Sequence, residues 1–221
     1  MPPRDAGRPL ALAYADPPYP GKARRYYAGH PDYAGEVDHE ELVARLVAEF
    51  PMGWALSTDS DHLQEVLSYC PPGVRIASWT RGERPTKSYS PLSAWEPVVY
   101  SGGRAVLSDV DARRVDALVY TARPRLTDQR RVVGAKPAAF CFWLFSLLGA
   151  APGDTFTDLF AGSGGVARAW SLFEARHGQR EFDLEAVALD VERDACPGDR
   201  IGREWPREVS LESAATGRGA A

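Results

Sequence analysis

Short unbroken apolar runs alternate along this chain with apolar positions at helical spacing. Leu10-Ala11-Leu12-Ala13-Tyr14-Ala15 has no polar alternation, as expected of a strand covered on both faces. Leu42, Val43, Leu46, Val47 and Phe50 then recur at the helical period. Asp38 stands at the N-cap of that helix, with Glu41 in the capping-box position. The same reading predicts strands over 54–58, 74–79 and 97–100, a short helix over 60–69 and a weak helical pattern over 108–121, carried by Val115, Leu118 and Val119. Residues 80–104 are rich in turn formers, and 122–135 read as loop. The densest apolar stretch, 138–148, is too short to span a bilayer and reads as a buried helix, opened by Pro137 and closed by Gly149. A strand at Thr155-Phe156-Thr157, a helix with Val166, Ala169, Trp170 and Phe173 on one face, and a strand over 186–189 complete the series.

Strands alternating with helices indicate an α/β chain with a single doubly wound, mostly parallel sheet. Residues 1–204 are expected to form one domain, with 80–135 as an insert. Residues 205–221, polar and small, read as a disordered tail. A length of 221 residues, 44% hydrophobic and 25% charged, suits one globular core. No run reaches the length of a membrane span, and the N-terminus lacks the apolar stretch of a signal peptide. Cys70, Cys141 and Cys196 are odd in number and widely spaced, which suggests free thiols and a cytoplasmic location. His30, His39, His62 and His177 lack metal-ligand spacing. No metal site is expected, and each histidine is read as a surface residue.

Charge is unevenly distributed. The chain carries a net −4, yet residues 75–136 hold 12 basic and 6 acidic side chains. The arginines there include Arg81, Arg84, Arg104, Arg113, Arg114, Arg123, Arg125, Arg130 and Arg131. Basic clustering fits phosphate binding, but Asp109, Asp111, Asp116 and Asp128 interrupt it, and a solvated face fits equally. A polar, aromatic loop with Lys22, Arg24, Arg25, Tyr26 and Tyr27 leaves the same two alternatives open: contact with phosphates and bases, or packing on the domain.

Two places carry chemistry. The first strand ends in Asp16-Pro17-Pro18-Tyr19. The prolines remove two backbone donors and stiffen the turn, so an incoming amine meets acceptors only. Tyr19 offers a flat face for an aromatic base. The second place is Asp158-Leu159-Phe160-Ala161-Gly162-Ser163-Gly164-Gly165, between a strand and a helix. Its glycines allow a tight turn and close approach of a ligand to the backbone. The strand over 186–189 then ends in Asp190, with Glu192 close behind, and either could accept from ribose hydroxyls. Strand, glycine loop, helix, strand and acid in that order point to an adenosine-type cofactor.

Together Asp16-Pro17-Pro18-Tyr19, Phe160-x-Gly162-x-Gly164 and Lys136-Pro137 ahead of an apolar helix resemble the S-adenosylmethionine-dependent amino-methyltransferases that act on adenine N6 or cytosine N4 of DNA. The catalytic motif precedes the cofactor loop, which resembles the permuted, β-type arrangement of that family. The resemblance covers about residues 10–195 and implies a Rossmann-like class I methyltransferase fold in permuted order. It implies S-adenosylmethionine as cofactor and nucleic acid, foremost DNA, as partner. It also implies 80–135 as a target-recognition insert. Asp16 would accept the amine, Pro17 would add its carbonyl and Pro18 would hold the turn, with the flipped base stacked on Tyr19. Asp158, Gly162 and Gly164 would line the methionine side of the cofactor, and Asp190 or Glu192 would take the ribose. Lys136 would approach the cofactor carboxylate or cap a loop. Phe160 would belong to the core or touch the cofactor. Asp16, where cytosine enzymes of the family more often have Ser, implies adenine N6. RNA remains a second substrate class. A non-catalytic nucleic-acid-binding subunit of the same fold, acting with a partner subunit, is the competing reading, and the oligomeric state is open between that and a homodimer.

Overall fold

The central strands of the sheet send alternate side chains into two separate apolar cores. The structure is a computed structural model and describes residues 8–24, 35–82, 91, 93–104, 114–121 and 136–176. Strand β1 spans Ala11–Ala15. Leu10, Leu12 and Tyr14 face one core, and Ala13 and Ala15 face the other. That double burial is why the run shows no polar alternation. Strand β2 is Gly53–Ser57, with Ala55 on the first side and Trp54 and Leu56 on the second.

Helices cover both faces. Helices α1 (His39–Glu49) and α2 (Leu63–Tyr69) pack through Leu42, Val43, Leu46 and Val66 onto the second core. Asp38 caps α1, accepting from the Glu41 amide at 3.0 Å. Helix α3 (Ala138–Leu147) is buried almost all round, which explains why its sequence has no polar face. Helix α4 (Gly165–Arg176) joins it through Val166, Ala169 and Phe173. Aromatic rings knit this side, with Phe145 edge-on to Phe156 at 4.8 Å and to Trp170 at 5.1 Å between centroids.

The remaining strands are β3 (Arg75–Thr80), β4 (Trp95–Gly102), β5 (Ala117–Val119) and β6 (Thr155–Asp158). The six form one sheet in the order β5-β3-β4-β2-β1-β6. Only β4 runs against its neighbours; the other pairings are parallel. From β1 the chain turns to β2 on one side, whereas β6 pairs on the other. The carboxyl end of β1 is therefore a switch point, where open α/β sheets form their ligand crevice.

The segment 80–135 thus supplies two strands to the sheet. Where the sequence pattern predicts helix over 108–121, the described residues 114–121 contain β5 instead. Pairing wins over weak periodicity here. The Ser78 amide donates to the Asp116 carbonyl at 2.8 Å, and the indoles of Trp79 and Trp143 donate to Tyr120 and Val115 carbonyls at 2.9 and 3.0 Å. The expected strand over 186–189 and the tail at 205–221 lie outside the described residues.

Asp154 fastens the opposite, amino edge of the sheet. It accepts from the Leu10 amide at 2.7 Å, the Ala151 amide at 2.7 Å and Arg104 at 2.6 Å, and it is fully buried. One carboxylate thereby joins the starts of β1 and β6. Asp154→Ala removes the carboxylate partner of a sheltered guanidinium and the acceptor of two amides, and is expected to cost about 3–5 kcal/mol. Urea denaturation measures this; a loss under 1 kcal/mol would contradict the role.

Candidate functional site

Parallel pairing aligns the carboxyl ends of β1 and β6. Tyr14 is in register with Asp158, and the Leu159 amide donates to the Tyr14 carbonyl at 2.9 Å. The acidic proline turn and the glycine loop, about 140 residues apart in sequence, therefore leave the sheet side by side. Asp16, Pro17, Pro18, Tyr19, Asp158, Phe160, Gly162, Gly164 and Lys136 all lie at this edge or in the loops leaving it. Asp190 and Glu192 lie outside the described residues.

Lys136 precedes α3, whose N-terminus opens onto the same edge. Its ammonium lies 2.8 Å from both Asp16 oxygens, donating to Oδ1. The described structure pairs Lys136 with the proline turn, a contact the sequence reading did not contain. The pair is sheltered: Asp16 keeps 20% of its side-chain exposure and Lys136 keeps 6%. Behind them is a residue that the motifs do not contain. Glu96 Oε1 is 2.8 Å from the Lys136 ammonium, and Glu96 Oε2 is 2.8 Å from Arg81 Nη1. Glu96 is buried on β4, the reversed strand. Reversal explains its position, because the start of an antiparallel strand lies beside the ends of its neighbours. A charged residue next to the apolar run Pro97-Val98-Val99-Tyr100 was the available signal.

Burial pushes the Asp16 carboxyl up to about 6; Lys136 opposes this and the Glu96 charge adds to it. Burial disfavours the charged form of Lys136, but Asp16 and Glu96 together more than offset it, and its pKa is raised. Tyr19 leaves the same turn, and its ring is sheltered beside Glu96 and Asp16. Burial, followed by the Glu96 and Asp16 charges, raises its pKa well above the ordinary phenol value. Tyr14, buried beneath the turn, shares a 2.7 Å hydrogen bond with Ser57.

The glycine loop has its own open valence. Asp158 Oδ1 accepts from the Phe160 amide at 3.2 Å, while Oδ2 is buried without a hydrogen-bond partner. Burial raises the Asp158 pKa. An unpartnered buried acceptor is costly unless a donor completes it. Gly164 has φ +71°, and its amide donates to the Ala161 carbonyl at 2.7 Å, closing a turn that favours glycine. Gly162 also has positive φ, at +46°. Phe160 is partly buried against the second core.

Several basic candidates are engaged internally. Arg81 pairs with Glu96, Arg104 with Asp154, and Arg114 donates to the Leu147 carbonyl at 3.3 Å. Lys22 pairs with Asp59, which also accepts from His62 Nδ1 at 2.6 Å. These contacts weaken the phosphate reading at those positions. Arg84, Arg113, Arg123, Arg125, Arg130 and Arg131, with Arg25, Tyr26 and Tyr27, lie outside the described residues. His39, expected at the surface, is buried beside Val37, whose carbonyl lies 3.0 Å from Nδ1. Cys70 and Cys141 are free thiols, and burial pushes the Cys141 thiol up to about 12. Among the described residues no His, Cys, Asp or Glu group is arranged to hold a metal, and no helix is long and apolar enough to cross a membrane.

No protein-family model and no curated protein matches the chain. Solved structures do. The crystal structure of the M1.HpyAVI–SAM complex aligns with TM-score 0.54 and 14% identity, covering 75% of this chain and 79% of that one. A second crystal structure of M1.HpyAVI gives 0.52 and 14%, over 75% and 78%. The chain thus shares the Rossmann-like α/β fold of those structures, with one six-stranded, mostly parallel sheet among the described residues.

The raised Asp16 carboxyl has a definite sign in stability. The folded chain holds the Asp16 proton more tightly than the unfolded chain, so this group's contribution to stability falls as pH rises from 3.8 to about 6. Asp16→Asn is expected to flatten that part of the pH–stability curve, as read by denaturation at each pH. An unchanged slope would assign the titration elsewhere.

Proposed function

We propose that the chain is an S-adenosylmethionine-dependent methyltransferase acting on an exocyclic amine of nucleic acid, foremost adenine N6 of DNA. The observation that carries this reading is the parallel pairing of Tyr14 with Asp158, which sets the amine-accepting turn beside the glycine loop. The unpartnered Asp158 oxygen supports it further, because an amino acid ammonium is the donor that it lacks. The likeness to a fold solved with SAM bound is consistent with both.

Asp158, Gly162 and Gly164 would hold the methionine portion of the cofactor, with Phe160 packed beneath the loop. Asp190 or Glu192 would accept from its ribose. When bound, S-adenosylmethionine supplies an electrophilic methyl group. The remaining work falls to the protein. Asp16 and the Pro17 carbonyl accept both N–H groups of the amine, drawing its lone pair out of conjugation with the ring. Pro18 keeps the turn rigid and free of competing donors. Methyl transfer to the amine nitrogen would leave that nitrogen with a proton to be removed. The proton then lost from nitrogen passes to the Asp16 carboxylate and on to water. Most of the rate gain is positioning and electrostatics. A base inside a duplex cannot reach Asp16, so it would be flipped and stacked on Tyr19. The parts of 80–135 beyond β4 and β5 would supply target contacts.

Incubation with tritium-labelled cofactor and duplex DNA, single-stranded DNA or RNA, followed by nucleoside analysis, tests the proposal. N6-methyladenine in DNA is expected. Label confined to RNA would reassign the substrate, and nucleic-acid binding without cofactor affinity would indicate a non-catalytic subunit. Asp16→Ala is expected to abolish transfer while leaving cofactor affinity within about threefold. Parallel loss of both would overturn its role. Asp158→Asn is expected to weaken cofactor binding by about 1.5–3 kcal/mol, measured by calorimetry; unchanged affinity would contradict that contact. Because ionised Asp16 is required, turnover should be retained above about pH 6 and fall below it.

A further inference from the structure

The amine-accepting carboxylate is already occupied. Lys136 donates to Asp16 Oδ1 and lies equally close to Oδ2, so a substrate amine must displace the ammonium or share the oxygens with it. A buried ammonium that gives up one carboxylate needs another. Glu96 supplies it: Oε1 lies 2.8 Å from Nζ but outside hydrogen-bonding geometry, and so retains acceptor capacity. Its other oxygen is fixed by Arg81, which holds the carboxylate in place.

We infer that Glu96 is a positioning residue of the amine site, taking the Lys136 ammonium from Asp16 when the substrate amine arrives. This rests on the amine-methylation reading above. The transfer of the ammonium breaks and forms only hydrogen bonds, and Lys136 stays protonated throughout. Without Glu96, Lys136 would remain on Asp16 and compete with the amine.

Several other charged or titratable groups face Asp16. Lys136 lies ahead of α3, Cys141 is on α3 itself, Glu96 is on β4, Asp158 ends β6, and Tyr14 and Tyr19 belong to β1 and its turn. Removing the Glu96 charge takes away a like charge and leaves Lys136 committed to Asp16. Both changes favour the ionised carboxylate.

The test is Glu96→Gln in the full chain. The expected result is at least a tenfold drop in kcat, cofactor affinity within twofold of the parent, and an acid limb of the kcat profile moved down by about one pH unit. A purely structural role would lower activity without moving that limb. Arg81→Met/Glu96→Gln removes the pair together and leaves no guanidinium unpaired. It should move the limb in the same direction, and it serves if the single variant does not fold. A limb at the parental position in a folded variant would overturn the inference. Carbon-13 NMR titration of the Asp16 carboxyl reads the same effect without substrate. If the parent protein methylates nothing, the functional reading fails, while a downward titration shift in the variant still establishes the hold of Glu96 on Asp16. No shift there sinks the inference independently.

Discussion

Two buried carboxylates sharing one ammonium organise the carboxyl edge of this sheet. Asp16 and Glu96 each lie 2.8 Å from the Lys136 ammonium, and Arg81 balances the second of them. Each charge would be costly alone in that setting, and together they are neutral. The cluster draws on the turn after β1, the start of β4, the end of β3 and the approach to α3. It can form only if those four pieces arrive at one edge. Fold and site are thus one arrangement, and the reversed direction of β4 is the feature that makes it close.

The same arrangement sets folding and chemistry in opposition at Asp16. Burial favours the protonated carboxyl, whereas the proposed acceptance of an amine and its proton would require the ionised form. Lys136 moderates the conflict by stabilising the charge, and Glu96 keeps the ammonium from being held by Asp16 alone. Asp158 shows a related tension on the neighbouring strand, where a buried oxygen lacks a donor among the described residues. Sites for charged ligands commonly carry such incomplete polar groups, since the ligand completes them.

Much of the architecture was legible in the chain itself. The unbroken run at 10–15, the capped helix after Asp38 and the wholly apolar helix after Pro137 each state their surroundings by their pattern, because burial on both sides removes polar alternation. The two chemical turns were legible too, since glycines and prolines impose backbone geometry locally. Their meeting was not a local property. It depends on β6 pairing with β1 across the length of the chain. Glu96 was missed because its role comes from strand direction, which a single strand pattern does not encode. β5 was misread for a similar reason: three residues held by the indoles of Trp79 and Trp143 carry little periodicity of their own. Arg81, Arg104 and Arg114 looked like surface charge by composition, and only the fold provides their internal partners.

The central claim is that the proline turn and the glycine loop form one cleft that holds a methyl donor against an amine acceptor. Nuclear Overhauser contacts from carbon-13-labelled cofactor methyl, recorded on the full chain, test it most directly. Contacts are expected from that methyl to the turn at 16–19, together with contacts from the cofactor's methionine chain to Gly162 and Gly164. A bound cofactor whose methyl touches neither stretch would contradict it.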